Sequence, residues 1–304
     1  MRLAYYSLAN FPDDSRERQW IQSIRSLRMH NKTIPVWLFL FNRGSEQLYQ
    51  EAERNRVHVR SMGDYRNFLR QAHPRGDVLA LYPTFHKFLA LKELPSEDLT
   101  QLLYLDCDTF FFKDVNLLFD AHDKHDWYSR EEPASMRSYF GPDPKHIDEV
   151  LLEYIAKSEG LRYVPPFNSG VCLLNRGIWN EINGLRSVYL DIAWRLLCGR
   201  ELSGHDHGAS NPRIHSAVME AMTDADRTEA LPFPSSNGWI IEQIALWLAL
   251  GSLEEFSLGT LSQLQVAQGG EFESSHTPRD QCVIAHYFSG AEQDFFSCVS
   301  PIAA

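Results

Sequence analysis

The sequence has no long hydrophobic run and no paired-cysteine motif. Its longest apolar stretch near the C-terminus, residues 244–250, is far shorter than the roughly 20 residues that a membrane-spanning helix needs. The N-terminal residues lack the apolar region and the cleavage site of a signal peptide. The five cysteines include no CxxC pair, and Cys107 and Cys172 lie inside apolar runs. We therefore expect buried free thiols in a cytoplasmic protein without a transmembrane segment.

The sequence also lacks an excess of positive charge. Its 40 acidic and 29 basic residues give a net charge of −11, and an acidic surface does not attract the phosphate backbone of nucleic acids. A nucleic acid partner is therefore not expected, whereas a small anionic ligand would need a metal ion or local cations. Hydrophobic residues make up 44% of the chain, which is enough for a packed core. Because no repeat or linker divides the sequence, we expect one domain over residues 1–304.

The first part of the sequence alternates between strand-like and helix-like segments. Residues 2–8 and 36–41 are short apolar runs that end in turn-forming residues. Residues 16–29 carry apolar side chains at helical spacing, and another helix and strand are expected within residues 46–60. Residues 83–94 show helical spacing as well. This alternation predicts an α/β fold in which helices flank a mostly parallel central sheet.

Two later segments predict central strands. Residues 102–105 and 170–174 are continuously apolar, which is typical of strands buried on both faces. Residues 123–166 and 199–235 are polar and rich in proline, glycine or histidine, so we expect long irregular segments, which are often functional. Four aromatic residues in or near them are either platforms on which a ligand stacks or core residues: Trp127, Tyr128, Tyr139 and Trp194.

Two aspartates directly follow the first of these buried strands. In an extended backbone, Asp106 and Asp108 project to the same side, so their carboxylates can converge at the carboxyl end of a central strand. Open α/β sheets bind their ligands at that edge. Because neighbouring carboxylates repel each other, a divalent cation is their natural partner. The alternative is a pair of exposed acids at a strand end.

Four motifs in order resemble those of the GT-A glycosyltransferases, particularly family 8, which includes bacterial galactosyltransferases and glycogenin. They are the apolar strand with Asp106 and Asp108, residues 167–175 (FNSGVCLLN), Glu242-Gln243 at a helix start, and residues 286–290 (HYFSG). The resemblance covers most of the chain. It implies a GT-A fold in which residues 1–122 form the nucleotide-binding half and residues 123–304 the sugar and acceptor half.

The resemblance also implies an activity and a role for each motif residue. The activity is transfer of a sugar from a nucleotide sugar, with UDP expected, to a carbohydrate or glycoconjugate acceptor with retention of configuration. Mn²⁺ or Mg²⁺ would be held by Asp106, Asp108 and His286, with Asp106 alternatively contacting the ribose. The groups around the transferred sugar, which include the catalytic ones, would be Asn168, Glu242 and Gln243. The other donor contacts would be Tyr5, Tyr6 and Ser7 near the base, and Lys87, Ser169 and Gly170.

Each of these residues also has a structural interpretation. His286 is alternatively a hydrogen-bonded core or loop histidine, and Asn168 a turn cap before a strand. Glu242 is alternatively an acid in the first turn of a helix. Lys87 is alternatively part of a solvated helix face. The four motifs together favour the functional interpretation over these.

The sequence departs from the family pattern at one position and leaves three other functions open. Glu292 stands where the family usually carries a lysine, so diphosphate binding by that segment is not expected. A nucleotide-sugar-binding protein without catalysis is therefore one alternative. A haloacid dehalogenase-type aspartyl-phosphate phosphatase is another, although Phe110 replaces the usual threonine or valine of its motif. The third is a metallohydrolase site, or else a solvated loop, formed by His205, Asp206, His207 and His215.

Overall fold

The computed structural model describes residues 1–10, 15–82, 84–94, 98–132, 147–204, 211–268 and 281–287, together with the backbone of residues 137–138. The strands are β1 Arg2–Ala9, β2 Val36–Phe41, β3 Val57–Gly63, β4 Gln101–Leu105, β5 Thr109–Phe111, β6 Trp127–Glu131, β7 Arg137–Ser138, β8 Ile147–Asp148, β9 Phe167–Asn175, β10 Leu258–Thr260, β11 Val266–Gln268 and β12 Ile284–His286. The α-helices are α1 Arg16–His30, α2 Glu46–Arg54, α3 Tyr65–Ala72, α4 Gly76–Leu79, α5 Asn116–Ala121, α6 Glu149–Ser158, α7 Ile178–Gly184, α8 Arg186–Leu202, α9 Pro212–Ala221, α10 Asp224–Glu229 and α11 Ile241–Leu250. Short 3₁₀ helices span Leu91–Glu93 and Gly238–Ile240.

Seven of the strands form the central sheet, in the order β10-β6-β9-β4-β1-β2-β3. β1 runs parallel to β2 and β4, β2 runs parallel to β3, and β6 runs parallel to β10. β9 is antiparallel to both of its neighbours, β4 and β6. The mostly parallel α/β sheet predicted from the sequence is therefore confirmed. Every residue of β4 and β9 is buried, in agreement with their continuous apolarity.

Apolar side chains cover both faces of this sheet. Because successive strand residues point to opposite faces, Tyr5 and Tyr6 of β1 belong to two different hydrophobic clusters. Tyr6 packs in the cluster that contains Trp20 and Ile24 of α1. Tyr5 lies in the cluster that contains Ile244 of α11. The first helix, predicted from its apolar spacing, therefore packs as its sequence pattern requires.

A second sheet of three strands, β11-β12-β5, brings the C-terminal histidine to the aspartate pair. β5 begins directly after Asp108, and it pairs antiparallel with β12 so that Thr109 lies opposite His286. The backbone N–H of Tyr287 donates a hydrogen bond to the Asp108 carbonyl oxygen over 2.9 Å. Residues that are far apart in the sequence thus become neighbours through one short strand pair.

The helix expected over residues 83–94 is wrong for most of its length. Residues 84–90 form consecutive turns, and only Leu91–Glu93 is a 3₁₀ helix. The His86 carbonyl accepts a hydrogen bond of 3.3 Å from the Leu89 N–H, three residues on, as in a turn. Two carbonyl oxygens of the segment also contact strand β1: Ser7 Oγ donates to the His86 carbonyl over 3.3 Å, and Tyr5 Oη donates to the Lys87 carbonyl over 3.4 Å. These contacts tie the segment to the central sheet.

The two segments expected to be irregular contain regular structure. Residues 123–166 include β6 and α6, and residues 199–235 include the end of α8 together with α9 and α10. Pro212 occupies the first turn of α9, where its missing N–H is not needed. The expectation of two long unstructured segments was therefore wrong for the part that the structure describes.

Two further expectations concern membranes and thiols. Within the described ranges, no helix has both the length and the apolarity needed to cross a membrane. Four of the five cysteines are buried, as predicted: Cys107, Cys172, Cys198 and Cys282. The fifth, Cys298, lies outside the described residues.

Candidate active site

Asp106, Asp108 and His286 meet at the carboxyl end of β4. The Nε2 atom of His286 lies 3.3 Å from Asp108 Oδ1 and 3.6 Å from Asp106 Oδ2. One ligand atom from each residue lies within 4.8 Å of the others. The two aspartates occupy a turn between β4 and β5, which a hydrogen bond of 2.8 Å from Thr109 Oγ1 to the Asp106 carbonyl closes. The carboxylates thus converge as predicted, but a turn brings them together rather than an extended strand.

Gly170 leaves the space in which the His286 ring lies. A Cβ atom at this position would stand 2.0 Å from His286 Cε1 and 2.4 Å from Nε2, which is far inside van der Waals contact. Gly170 also accepts a backbone hydrogen bond of 2.7 Å from Asp106 through its carbonyl oxygen. Glycine is therefore required here because two parts of the site approach its backbone closely.

Lys87 lies at the centre of a buried charge cluster, not on a solvated helix face. Its ammonium group is 3.0 Å from Asp106 Oδ2 and 2.8 Å from Glu242 Oε1. It also donates to Ser169 Oγ over 3.2 Å. The side chain is only 10% exposed. Lys87 therefore joins the aspartate at the end of β4 to the glutamate at the start of α11.

Glu242 and Gln243 begin α11 and hold the start of β9. Gln243 Oε1 accepts a hydrogen bond of 2.8 Å from the Ser169 N–H, and Glu242 Oε1 accepts one of 3.1 Å from Ser169 Oγ. Asn168 Oδ1 accepts from the Gly170 N–H over 2.9 Å. Among the described residues, the buried Oε2 atom of Glu242 has no hydrogen-bond partner. One carboxylate oxygen thus remains available to a ligand.

The charges of this cluster shift one another's pKa values. Burial opposes ionisation of Asp106, but Lys87 and His286 outweigh it and hold the pKa of Asp106 well below its usual range. Burial likewise disfavours the charged form of Lys87, yet Asp106 and Glu242 raise its pKa. Burial, only partly offset by Lys87, raises the pKa of Glu242. Burial would lower the pKa of His286, but Asp108 and then Asp106 raise it to about 9.

The three residues predicted to contact the base lie in the middle of β1, not at its end. The side chains of Tyr5 and Tyr6 are fully buried, and Ser7 is 2% exposed. Tyr6 Oη shares a hydrogen bond of 2.8 Å with Ser23 Oγ, while Ser7 Oγ lies 2.8 Å from His86 Nδ1. β1 continues to Ala9, so the residue at its carboxyl end is Asn10.

A cavity of about 920 Å³ lies at the carboxyl ends of β1, β2 and β3. Its lining includes Asn10 after β1, Asn42 and Arg43 after β2, and Gly63 at the end of β3. Tyr65 at the start of α3 also lines it. This is the edge at which open α/β sheets bind ligands. The sequence analysis placed no residue here, although the turn residues that follow β1 and β2 were visible.

Two further residues contact the site and were missed from the sequence. Tyr104 Oη donates a hydrogen bond to Asp106 Oδ1. Tyr104 and Asp106 are two residues apart, so the alternation of a strand could have indicated this pair. Glu132 is 1% exposed, and its Oε1 accepts from Asn168 Nδ2 over 3.4 Å. No local signal distinguishes the buried Glu132 from its exposed neighbour Glu131, because only the pairing of β6 with β9 brings it to the site.

Other candidates lie elsewhere. The three aromatic residues that the structure describes are core residues, with exposures of 5% or less: Trp127, Tyr128 and Trp194. His215 Nδ1 lies 2.6 Å from Glu201 Oε2. The remaining residues of interest fall outside the described ranges, namely Tyr139, His205, Asp206, His207, Ser289, Gly290 and Glu292.

Solved structures resemble this architecture over nearly the whole chain. One is the galactosyltransferase LgtC in complex with donor and acceptor sugar analogues, which is 12% identical, with a TM-score of 0.50 over 99% of this chain and 96% of LgtC. The chain has the GT-A fold. Another is the apo form of WbbM, a bifunctional glycosyltransferase, at 12% identity and a TM-score of 0.51 over 98% of this chain and 49% of WbbM. No protein-family model matches the sequence, and no curated protein matches it either.

Proposed function

We propose that the protein is a metal-dependent glycosyltransferase that moves a sugar from a nucleoside-diphosphate sugar to a carbohydrate or glycoconjugate acceptor. The observation that carries this proposal is the cluster of Asp106, Asp108 and His286, which lies at the carboxyl end of a central strand beside the buried charges of Lys87 and Glu242. Asp106, Asp108 and His286 form one group of side chains, and Lys87 and Glu242 form another. Within a GT-A fold, a divalent ion and a sugar that lie between these two groups would form one continuous site.

The side chains fit a divalent metal. Two carboxylates and one imidazole offer ligand atoms within 4.8 Å of one another, and this oxygen-rich set suits Mn²⁺ or Mg²⁺. Asp106, Asp108 and His286 would hold the ion. When bound, such an ion offsets the negative charge that develops on the departing phosphate.

The cavity at the ends of β1, β2 and β3 supports a position for the nucleoside. Its volume of about 920 Å³ falls in the range of small-molecule and cofactor sites. Asn10, Asn42 and Arg43 are among the residues that line it. We propose UDP as the nucleoside diphosphate, as the family resemblance implies. Tyr5, Tyr6 and Ser7 would then support this region from within the core instead of contacting the base.

The chain's own residues would orient the transferred sugar. The unpartnered Oε2 of the buried Glu242 is an acceptor for a sugar hydroxyl. Gln243 and Asn168 keep the backbone of Ser169 and Gly170 fixed beside it. In the reaction, the bond between the anomeric carbon and the phosphate oxygen breaks and a bond to the acceptor oxygen forms. We expect retention of configuration.

Lys87 acts mainly through other residues in this proposal. Its ammonium already contacts Asp106 and Glu242, so it is a positioning residue that fixes both carboxylates. The fold weighs against the phosphatase alternative, in which Asp106 would be a nucleophile, because the solved structures that resemble the chain are glycosyltransferases.

A thermal-shift screen tests the proposal. Purified protein is heated with UDP, GDP or CMP and their sugars, in Mn²⁺ and in EDTA. A ligand that binds only the folded state stabilises it by about 2.7 kcal/mol at a hundredfold excess over its dissociation constant. We expect a shift with one nucleotide family that disappears in EDTA, followed by release of the nucleotide on turnover. Binding without turnover would support the catalytically inactive alternative, and no shift in folded protein would contradict the metal site.

We also propose that the protein acts in the cytoplasm. The buried free thiols of Cys172 and Cys198 support a reducing compartment such as the cytoplasm. A reporter fused to the full-length chain, expressed in its native cells and fractionated, would test this location directly.

A further inference from the structure

Trp239 is an exposed indole directly before helix α11. It is 55% exposed, whereas all ten residues of α11 and Ile240 are buried. Between residues 233 and 251, Trp239 is the one residue that is largely exposed to solvent. Burying a large aromatic side chain stabilises a fold strongly, so a tryptophan held in solvent within such a stretch points to a ligand.

Several contacts fix the backbone that carries this side chain. Asn237 Oδ1 accepts a hydrogen bond of 3.0 Å from the Trp239 N–H, and Ser235 Oγ accepts one of 2.9 Å from the Asn237 N–H. Gly238 lies against Arg200, since a Cβ atom at this glycine would stand 2.5 Å from the guanidinium carbon. The indole and the Tyr82 ring form a T-shaped pair, with 6.4 Å between centroids. The indole therefore has a fixed attachment point and one aromatic neighbour.

The position of Trp239 relates it directly to the site residues. The 3₁₀ helix Gly238–Ile240 continues into α11, and residues three and four apart on a helix share one face. Trp239 is three residues before Glu242 and four before Gln243. It thus lies one turn outward from the two residues that the proposed function places beside the transferred sugar.

We propose that Trp239 is a stacking platform for a pyranose ring of the acceptor, an inference that rests on the proposed function. The face of an indole carries negative charge density, and the C–H bonds on one face of a pyranose present a weakly positive, apolar surface to it. Aromatic walls combined with a few polar groups are typical of small-molecule sites. We therefore expect the acceptor to be a carbohydrate that has at least one pyranose ring in addition to the sugar that carries the reacting hydroxyl group.

The test compares Trp239→Ala with Trp239→Phe, which keeps an aromatic face. Tyr154→Ala is the matched control, because Tyr154 is an aromatic residue 65% exposed on α6. Each protein is measured for the thermal shift with UDP and Mn²⁺, which reports the donor site. Each is then applied, with UDP and Mn²⁺, to an array of immobilised mono- and oligosaccharides. The glycan bound best is used to determine the KM for acceptor.

We expect Trp239→Ala to weaken glycan binding and raise the acceptor KM about tenfold or more, with the UDP shift unchanged. Trp239→Phe should retain most of the binding, and Tyr154→Ala all of it. Equal glycan binding by wild type and Trp239→Ala would overturn the inference, as would a wild type that shows the UDP shift but binds no glycan. If the wild type shows no nucleotide shift at all, the proposed function itself fails and the inference fails with it.

Discussion

Two buried glutamates of this molecule have nearly equal exposure and opposite electrostatics. The side chain of Glu51 on α2 is 4% exposed, and that of Glu242 on α11 is 5% exposed. Arg25 binds both oxygens of Glu51 over 3.0 and 2.7 Å, and Asn55 Nδ2 adds a contact of 3.2 Å. The pKa of Glu51 is lowered, chiefly by the hydrogen bonds from Arg25. Burial instead raises the pKa of Glu242, whose Oε2 lacks a partner among the described residues.

This difference in pKa and hydrogen bonding distinguishes Glu51, a carboxylate with a structural role, from Glu242, a carboxylate that can bind a ligand. A buried charge whose hydrogen-bonding capacity is filled stabilises its surroundings, whereas an incompletely paired one costs stability. Carboxylates of the second kind cluster at functional sites because the ligand completes their hydrogen bonds. We therefore expect changes at the Glu51 cluster to affect mainly stability, and changes at the Glu242 cluster to affect mainly binding and turnover.

The largest effect is expected for Asp108→Ala at the metal cluster. Loss of this ligand should lower turnover of a UDP-sugar, measured as UDP release, by about 1,000-fold or more, because the departing phosphate would lose several kcal/mol of charge stabilisation. The Mn²⁺-dependent thermal shift should disappear as well. Asp120→Ala is the control, because Asp120 is an exposed aspartate paired with Arg2. A variant that kept both donor binding and its dependence on Mn²⁺ would contradict the metal site.

The second effect concerns pH in the metal-free protein. The pKa of His286 is raised from 6.5 to about 9, so its charged form stabilises the fold fully below about pH 6.5. This contribution, about 3 kcal/mol, is lost as the pH rises through about 9. Urea unfolding in EDTA at pH 6.5 and 9.5 should show the loss, and His286→Gln should lack it. An identical pH dependence in the two proteins would exclude His286 as its source.

Glu242→Gln should change turnover more than stability. The amide keeps the shape of the side chain and one acceptor oxygen, while Lys87 keeps its contact with Asp106. We expect donor turnover to fall about 100-fold, since a buried carboxylate beside the transferred sugar is lost. The free energy of unfolding should stay within about 1 kcal/mol, because removal of an incompletely paired charge offsets the lost ion pair. A full loss of stability with unchanged turnover would assign Glu242 to the same structural class as Glu51.

The fold was largely predictable from the sequence because its signals are local. The buried run of β4, the strand that follows Asn168 and the start of α11 are each visible in a few consecutive residues. The resemblance of these motifs to one family then supplied the order of the elements. The same local signals located the carboxylates and the histidine that the structure brings within 4.8 Å.

The remaining features depend on contacts between distant residues. Lys87 and Glu242 are 155 positions apart, and no spacing rule links them. Residues 84–90 form turns rather than the expected helix, and their contacts with Tyr5 and Ser7 of β1 are not visible in the local sequence. The burial of Glu132 depends on the pairing of β6 with β9. Local patterns predict elements, whereas the contacts that define this site arise from packing between them.

The smallest effect, and the closest comparison with Glu242→Gln, is expected for Glu51→Gln. The same substitution here should leave donor turnover unchanged and lower the free energy of unfolding by about 2 kcal/mol, since charge-assisted hydrogen bonds from Arg25 are lost. Because the pKa of Glu51 is lowered in the fold, its contribution is present above the ordinary value of 4.5 and disappears as the pH falls through the folded value. Urea unfolding at pH 7 should therefore separate wild type from variant, and the difference should shrink in acid. A difference that persisted in acid would mean that packing, not charge, holds α2 against α1.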